Sequence, residues 1–80
     1  MHHTYKTSGT CSRQIDFDLE DGIVKNVRYT GGCNGNLQGI SRLVEGKSAK
    51  EIQGLLEGIN CGGRGTSCPD QLAKALKPLL

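Results

Sequence analysis

Four cysteines, Cys11, Cys33, Cys61 and Cys68, carry most of the chemistry this sequence could perform. The densest stretch runs from Cys61 to Leu76 and reads Cys-Gly-Gly-Arg-Gly-Thr-Ser-Cys-Pro-Asp-Gln-Leu-Ala-Lys-Ala-Leu. Two thiols flank a glycine-rich loop, and Pro69 then opens a helix, because the N–H that proline lacks would be unbonded there anyway. Ser67 is the expected N-cap and Asp70 its capping-box partner. Cys68 therefore falls at or just before a helix N-terminus. The partial positive charge there favours a thiolate, the form that binds metal or attacks an electrophile.

The intervals are 22 residues from Cys11 to Cys33, 28 from Cys33 to Cys61 and 7 from Cys61 to Cys68. No Cys-x-x-Cys knuckle occurs, so the thiols are not a zinc finger or ribbon of the usual spacing. Only tertiary structure could gather them. Each cysteine nevertheless falls beside glycine or at the end of an element, where metal ligands belong. Four thiolates suit tetrahedral zinc or an iron–sulfur cluster, both soft-ligand choices. Two other readings stand beside this one. Cys61 and Cys68 could form a redox pair, or all four could be small buried hydrophobes.

The elements that must position these thiols follow from periodicity. Thr4 to Thr7 alternates β-favouring residues and predicts a short strand. Ile15, Phe17 and Leu19 alternate with Gln14, Asp16 and Asp18, which predicts a half-buried strand with odd positions inward. Cys11 shares that parity. Ile23, Val27 and Tyr29 form the next apolar row. A three-residue loop around Gly22 would pair Leu19 with Ile23 and Ile15 with Val27, keeping both rows on one face and setting Lys25 opposite Phe17. Gly31 to Asn36 encloses Cys33 in a tight loop. Leu37, Ile40, Leu43 and Val44 then recur at helical spacing, ended by Gly46. Gly39 within this helix is expected to mark tight helix packing. Ser48 and Glu51 form a capping box for a second helix burying Ile52, Leu55, Leu56 and Ile59. The third helix, from Pro69 to about Lys77, buries Leu72, Ala73 and Leu76 and ends at Pro78. The fold class expected is α+β: a small antiparallel N-terminal sheet of three strands covered by three C-terminal helices.

Composition narrows the function classes. In 80 residues, 35% are hydrophobic and 4% aromatic, with no Trp. Such a core is thin, and a covalent or metal staple is expected. No signal peptide precedes the first polar residues, which points to a cytoplasmic setting where clustered cysteines bind metal or do redox work. No apolar run reaches membrane-spanning length. The net charge of +2 is scattered and almost without aromatic partners, which argues against nucleic acid. His2 and His3 read as a solvated terminus, and Asp16 and Asp18 as a solvated strand face. Nothing suggests a phosphate loop, a Ser–His–Asp set or a catalytic carboxylate pair.

Thr66-Ser67-Cys68-Pro69-Asp70 spells the name motif of the TSCPD domain, and Gly31-Gly32-Cys33-Asn34-Gly35-Asn36-Leu37 adds to it. The chain resembles a stand-alone, four-cysteine member of that family, a single domain over residues 1–80. The family resembles a C-terminal domain of vitamin B12-dependent ribonucleotide reductases. That implies an accessory role in deoxynucleotide synthesis, with a reductase as partner. It supplies no reductase active site, since a chain of this size cannot hold the barrel and radical apparatus. A more distant resemblance is to U-type iron–sulfur assembly scaffolds. It is carried by Gly22 to Val27, Gly32-Cys33, Leu43-Val44, Gly46-Lys47-Ser48, Glu51 and the Ser67-Cys68 helix, and would make the protein a scaffold that hands a cluster on. Cys11, Cys33 and Cys68 fall on the ligand cysteines of those scaffolds. Ser12-Arg13 stands where they carry Asp, Ser67 stands where they carry His, and Cys61 has no clear counterpart.

Overall fold

A computed structural model describes the chain except Cys11, Cys33, Cys61 and Arg64, with Asn34 described by its backbone alone. Strands β1 (His2–Lys6), β2 (Ser12–Glu20) and β3 (Ile23–Gly31) precede helices α1 (Asn34–Val44), α2 (Ala49–Leu56) and α3 (Cys68–Leu76), and a 3-10 turn covers Lys77–Leu79. The sheet is antiparallel in the order β1-β2-β3. This is the α+β arrangement expected from the periodicity.

One sheet face is polar, with His2, Thr4, Asp16 and Asp18 on it. The other carries Ile15, Phe17, Val24 and Val27 against Val44, Ala49, Ile52, Leu72, Ala75 and Leu76 of the helices. All ten are buried. β1 starts earlier than expected and includes both histidines. His3 stacks on Phe17 with ring centroids 5.4 Å apart. His2 bonds Asp18 through Nδ1 at 2.9 Å and approaches Asp16 through Nε2 at 3.4 Å. Both histidines thus belong to a strand, and His2 remains exposed, as a solvated terminus implied.

The β2–β3 hairpin corrects the expected register. The turn has two residues, Asp21 and Gly22, with φ of 51° and 77°. Both angles are positive, as the tight hairpin turn that matches strand twist demands. Glu20 therefore faces Ile23, Leu19 faces Val24, and Lys25 sits across from Asp18 instead of Phe17. A one-residue shift of this kind would expose the apolar row, and a bulge restores it. Between the pairs Asp18↔Lys25 and Asp16↔Arg28 the chain inserts one extra residue in β3, where Asn26 adopts φ 56°. Parity changes there, so Val24 and Val27 both face the core. A second irregularity lies in β2 between the pairs Gln14↔Thr30 and Ser12↔Gly31, at Arg13. It turns Ser12 inward, 3% exposed. The odd-position rule that grouped Cys11 with Ile15 therefore does not carry past Arg13; Cys11 itself lies outside the described residues.

The helices are bounded as their caps dictate. Ser48 accepts from the Glu51 N–H at 3.1 Å and starts α2. α3 ends at Leu76, and the chain continues through Pro78 as the 3-10 turn. Their apolar stripes are narrower than expected. Leu43 and Leu55 are exposed on α1 and α2, and Ile59, expected inside the second helix, is exposed beyond its end at Leu56. Gly39 is also exposed, with open space where a Cβ would stand, so it serves no packing contact.

Candidate functional site at the start of the last helix

The corner where α3 begins is built from buried polar groups. Ser67, at φ −155° and ψ 169°, caps the helix by accepting from the Asp70 N–H at 3.1 Å. Cys68 is the first helical residue and Pro69 the second. Asp70 is only 2% exposed. One of its carboxylate oxygens accepts from the Gly58 N–H at 2.7 Å, and the other accepts from the Thr66 hydroxyl and lies 3.3 Å from Lys74 Nζ. These bonds, the Thr66 hydroxyl foremost, hold its carboxyl below the ordinary carboxylate range against the opposing effect of burial. Gln71 is buried beside it. Its amide donates to Thr66 Oγ1 at 2.9 Å, and its carbonyl accepts from the Ser8 N–H at 3.2 Å. One helix turn thereby holds both the loop before it and the loop leading out of β1.

Cys68 is partly exposed and meets the sheet. Its Sγ lies 3.1 Å from Ser12 Oγ, the buried hydroxyl that the Arg13 irregularity turns inward. The Tyr29 hydroxyl donates to the Cys68 carbonyl at 3.0 Å. Burial, and secondarily the nearness of Cys68, push the Tyr29 phenol well above its ordinary value, so it remains a donor. Ser12 is held in turn. Its carbonyl accepts from the Thr7 and Thr10 hydroxyls, and Thr10 Oγ1 lies 3.2 Å from Ser12 Oγ. Gly32 closes the arrangement from the other side. At φ 85°, its absent Cβ would stand 3.2 Å from Ser12 N and 2.9 Å from Leu37 Cδ1. Only glycine permits this approach.

Of the expected ligands, Cys68 is described, and Cys11, Cys33 and Cys61 lie outside the described residues. Ser12, which follows Cys11, touches the Cys68 sulfur, and Gly32, which precedes Cys33, packs on Ser12. Near the fourth, Asn60 Oδ1 accepts from the Gly65 N–H at 2.8 Å, and Gly58 is tied to Asp70. Among the described residues, no group of three His, Cys, Asp or Glu side chains could hold a metal ion.

The TSCPD domain model matches residues 3–80. The chain belongs to the TSCPD domain family. No curated protein and no solved structure matches it. In this TSCPD domain the five name residues have distinct physical tasks. Thr66 and Asp70 bond each other in the interior, Ser67 caps, Pro69 fixes the first turn, and Cys68 presents sulfur at the corner. Sequence reasoning identified the cap and the thiol. It placed Tyr29 in the apolar row and Thr66 in the name motif without their hydrogen bonds, and it missed Ser12 and Gln71, which are buried polar residues; the signal for Ser12 was its adjacency to Cys11. Among the described residues, no helix is long and apolar enough to cross a membrane.

Proposed function

We propose that the protein is a small four-cysteine metal-binding module in which Cys11, Cys33, Cys61 and Cys68 hold a zinc ion or an iron–sulfur cluster. It works in the cytoplasm as an accessory or interaction domain for a ribonucleotide reductase in deoxynucleotide synthesis. The observation that carries the metal reading is the contact of Ser12, which follows Cys11, with the Cys68 sulfur, and Gly32, which precedes Cys33, packs on Ser12 in turn. The donor set fits the group. Thiolates are soft ligands that both zinc and iron–sulfur clusters accept, and a hydroxyl beside the sulfur supplies the outer hydrogen bond such ligands use. Bound metal would cross-link the start of β2, the end of β3 and the loop before α3, which gives an 80-residue chain the staple that its thin core calls for.

The test is purification without oxygen, followed by metal quantification and a visible absorption spectrum. About one zinc ion or one cluster per chain is expected, with a brown colour in the second case. Cys61→Ser and Cys68→Ser should each release the metal and lower the melting temperature. Metal-free protein whose stability is indifferent to chelator would refute the reading. A reversible Cys61–Cys68 disulfide in such protein would establish the redox-carrier alternative in its place.

A further inference from the structure

β1 is an edge strand, paired in the sheet with β2 alone. Its first residue, His2, stands on the polar sheet face between two carboxylates of β2. Nδ1 lies 2.9 Å from Asp18 Oδ1, and Nε2 lies 3.4 Å from Asp16 Oδ1. An ionised carboxylate only accepts hydrogen bonds, so Nδ1 carries a proton. A neutral ring would then set its Nε2 lone pair against Asp16, whereas the imidazolium offers a donor to each carboxylate. The arrangement therefore suits the protonated ring.

The two carboxylates are also held by neutral donors. Asp16 accepts from Thr4 Oγ1 at 2.7 Å and from Gln14 Nε2 at 3.0 Å, and Asp18 accepts from Asn26 Nδ2 at 2.8 Å. Their side chains are 25% and 33% exposed, although the ring itself is 60% exposed. The other charges on this face are Lys6 on β1, Glu20 on β2, and Lys25 and Arg28 on β3. Lys25 and Arg28 pair across from Asp18 and Asp16, one strand farther from the ring, and with Lys6 they oppose the imidazolium. Glu20 favours it, with the Met1 ammonium 4.0 Å from that carboxylate. The nearest charges are Asp16 and Asp18, and they decide the balance.

We propose that His2 is a pH-sensitive catch on the first strand: the protonated ring clips β1 to Asp16 and Asp18, and loss of that proton to solvent lets β1 part locally from β2. Parting breaks the two backbone hydrogen bonds between Met1 and Leu19 and lifts His3 off Phe17, which is 1% exposed in the closed sheet. The catch thus governs access to a strand edge and a buried aromatic ring. His2 titrates above its ordinary value, chiefly through the bond to Asp18. The catch is therefore fully closed below the unfolded value, near 6.5, and is released as pH rises through the folded one. The Thr4 bond to Asp16 does not titrate in that range and keeps the release partial. No thiol takes part, so the catch and the metal reading stand or fall separately.

The experiment is amide hydrogen exchange on the full chain between about pH 5.5 and about pH 8.5, each rate divided by the unstructured rate at the same pH. The Leu19 N–H bonds the Met1 carbonyl, and Phe17 pairs with His3. Protection of these two amides should fall about threefold across that range, the size of one exposed ion pair. The Val24 N–H, bonded to the Lys47 carbonyl instead, should keep its protection. In His2→Gln the Leu19 and Phe17 amides should show no such dependence on pH, and in Asp18→Asn most of it should vanish. The proposal is overturned if the wild-type amides keep their protection throughout, or if His2→Gln loses it as wild type does. It is also overturned if Val24 loses protection in step, because the whole domain would then be opening.

Discussion

Removing the Asp70 carboxylate should unfasten the corner that carries Cys68. Asp70 accepts from the Gly58 N–H and from the Thr66 hydroxyl, and it faces Lys74 one turn on. Hydrogen bonds to a charged group contribute about 1.5–3 kcal/mol each. Gly58 is exposed, so its N–H regains water when the acceptor is lost, whereas Thr66 is 7% exposed and its hydroxyl stays buried. The Lys74 pair adds little, because the lysine end is half in solvent. Asp70→Ala should therefore cost about 3 kcal/mol, most of it from the stranded Thr66 hydroxyl. An 80-residue domain has about 4–12 kcal/mol in total, so much of the folded population is at stake. Asp70→Asn keeps an acceptor for Gly58 but presents an NH₂ or a weaker carbonyl to Thr66, and should cost about half as much. The assay is urea unfolding followed by far-ultraviolet circular dichroism, with and without chelator, so that metal release is separated from the loss of the network. The pH dependence carries a defined sign. The folded-state carboxyl lies below its unfolded value, so its contribution is complete above the unfolded value, near 4, and fades as pH falls through the folded one. The difference between wild type and Asp70→Asn should accordingly shrink in acid. A loss below about 1 kcal/mol for Asp70→Ala in chelator, or a difference independent of pH, would refute the reasoning.

Other perturbations follow from single contacts. Gly39→Ala should stabilise by about 1 kcal/mol in the same unfolding assay, because a Cβ there meets open space on an exposed helix face. Gly32→Ala should cost at least about 2 kcal/mol by the same measure. A residue with a Cβ is strained at φ 85°, and its methyl group would press on Ser12 N and Leu37. The variant should also displace the Ser12 amide signal. His2 titrates above its ordinary value, mainly through the hydrogen bond to Asp18. Its help to β1 is therefore complete below the unfolded value, near 6.5, and is lost as pH rises through the folded one. Proton NMR should show the His2 midpoint fall in Asp18→Asn; an unmoved midpoint would mean that the imidazole does not rest on that carboxylate.

Local signals survived the passage from sequence to structure where one residue type had one use. Ser67 and Ser48 cap the helices they were read to cap, since a hydroxyl three residues before an acidic side chain satisfies orphan N–H groups with no tertiary help. The strand order and the number of elements followed from the change of hydrophobic period. Register did not follow, for a physical reason. Matching apolar rows argued for a three-residue loop, while the Asp21-Gly22 pair favours a two-residue turn, and the chain reconciles the two with an extra residue at Asn26. Asn26 was the available clue, because asparagine tolerates left-handed backbone. The inward turn of Ser12 depends on the irregularity at Arg13, which no periodicity marks. Leu43 and Leu55 are exposed on short helices, and Ile59 is exposed because α2 ends at Leu56 before reaching it. At the site, cysteine spacing selected a residue type, whereas the hydroxyls and amides around Cys68 were legible only in three dimensions.

The contact between Ser12 and Cys68 spans 56 residues, and that between Ser8 and Gln71 spans 63. Segments far apart in the sequence therefore close one ring. During synthesis the three strands leave the ribosome before α3 exists, and the sulfur-bearing corner has nothing to close against until α3 emerges. Such separations add loop-closure cost to forming the corner. A chain cut before α3 would keep its hairpin yet forfeit the whole corner.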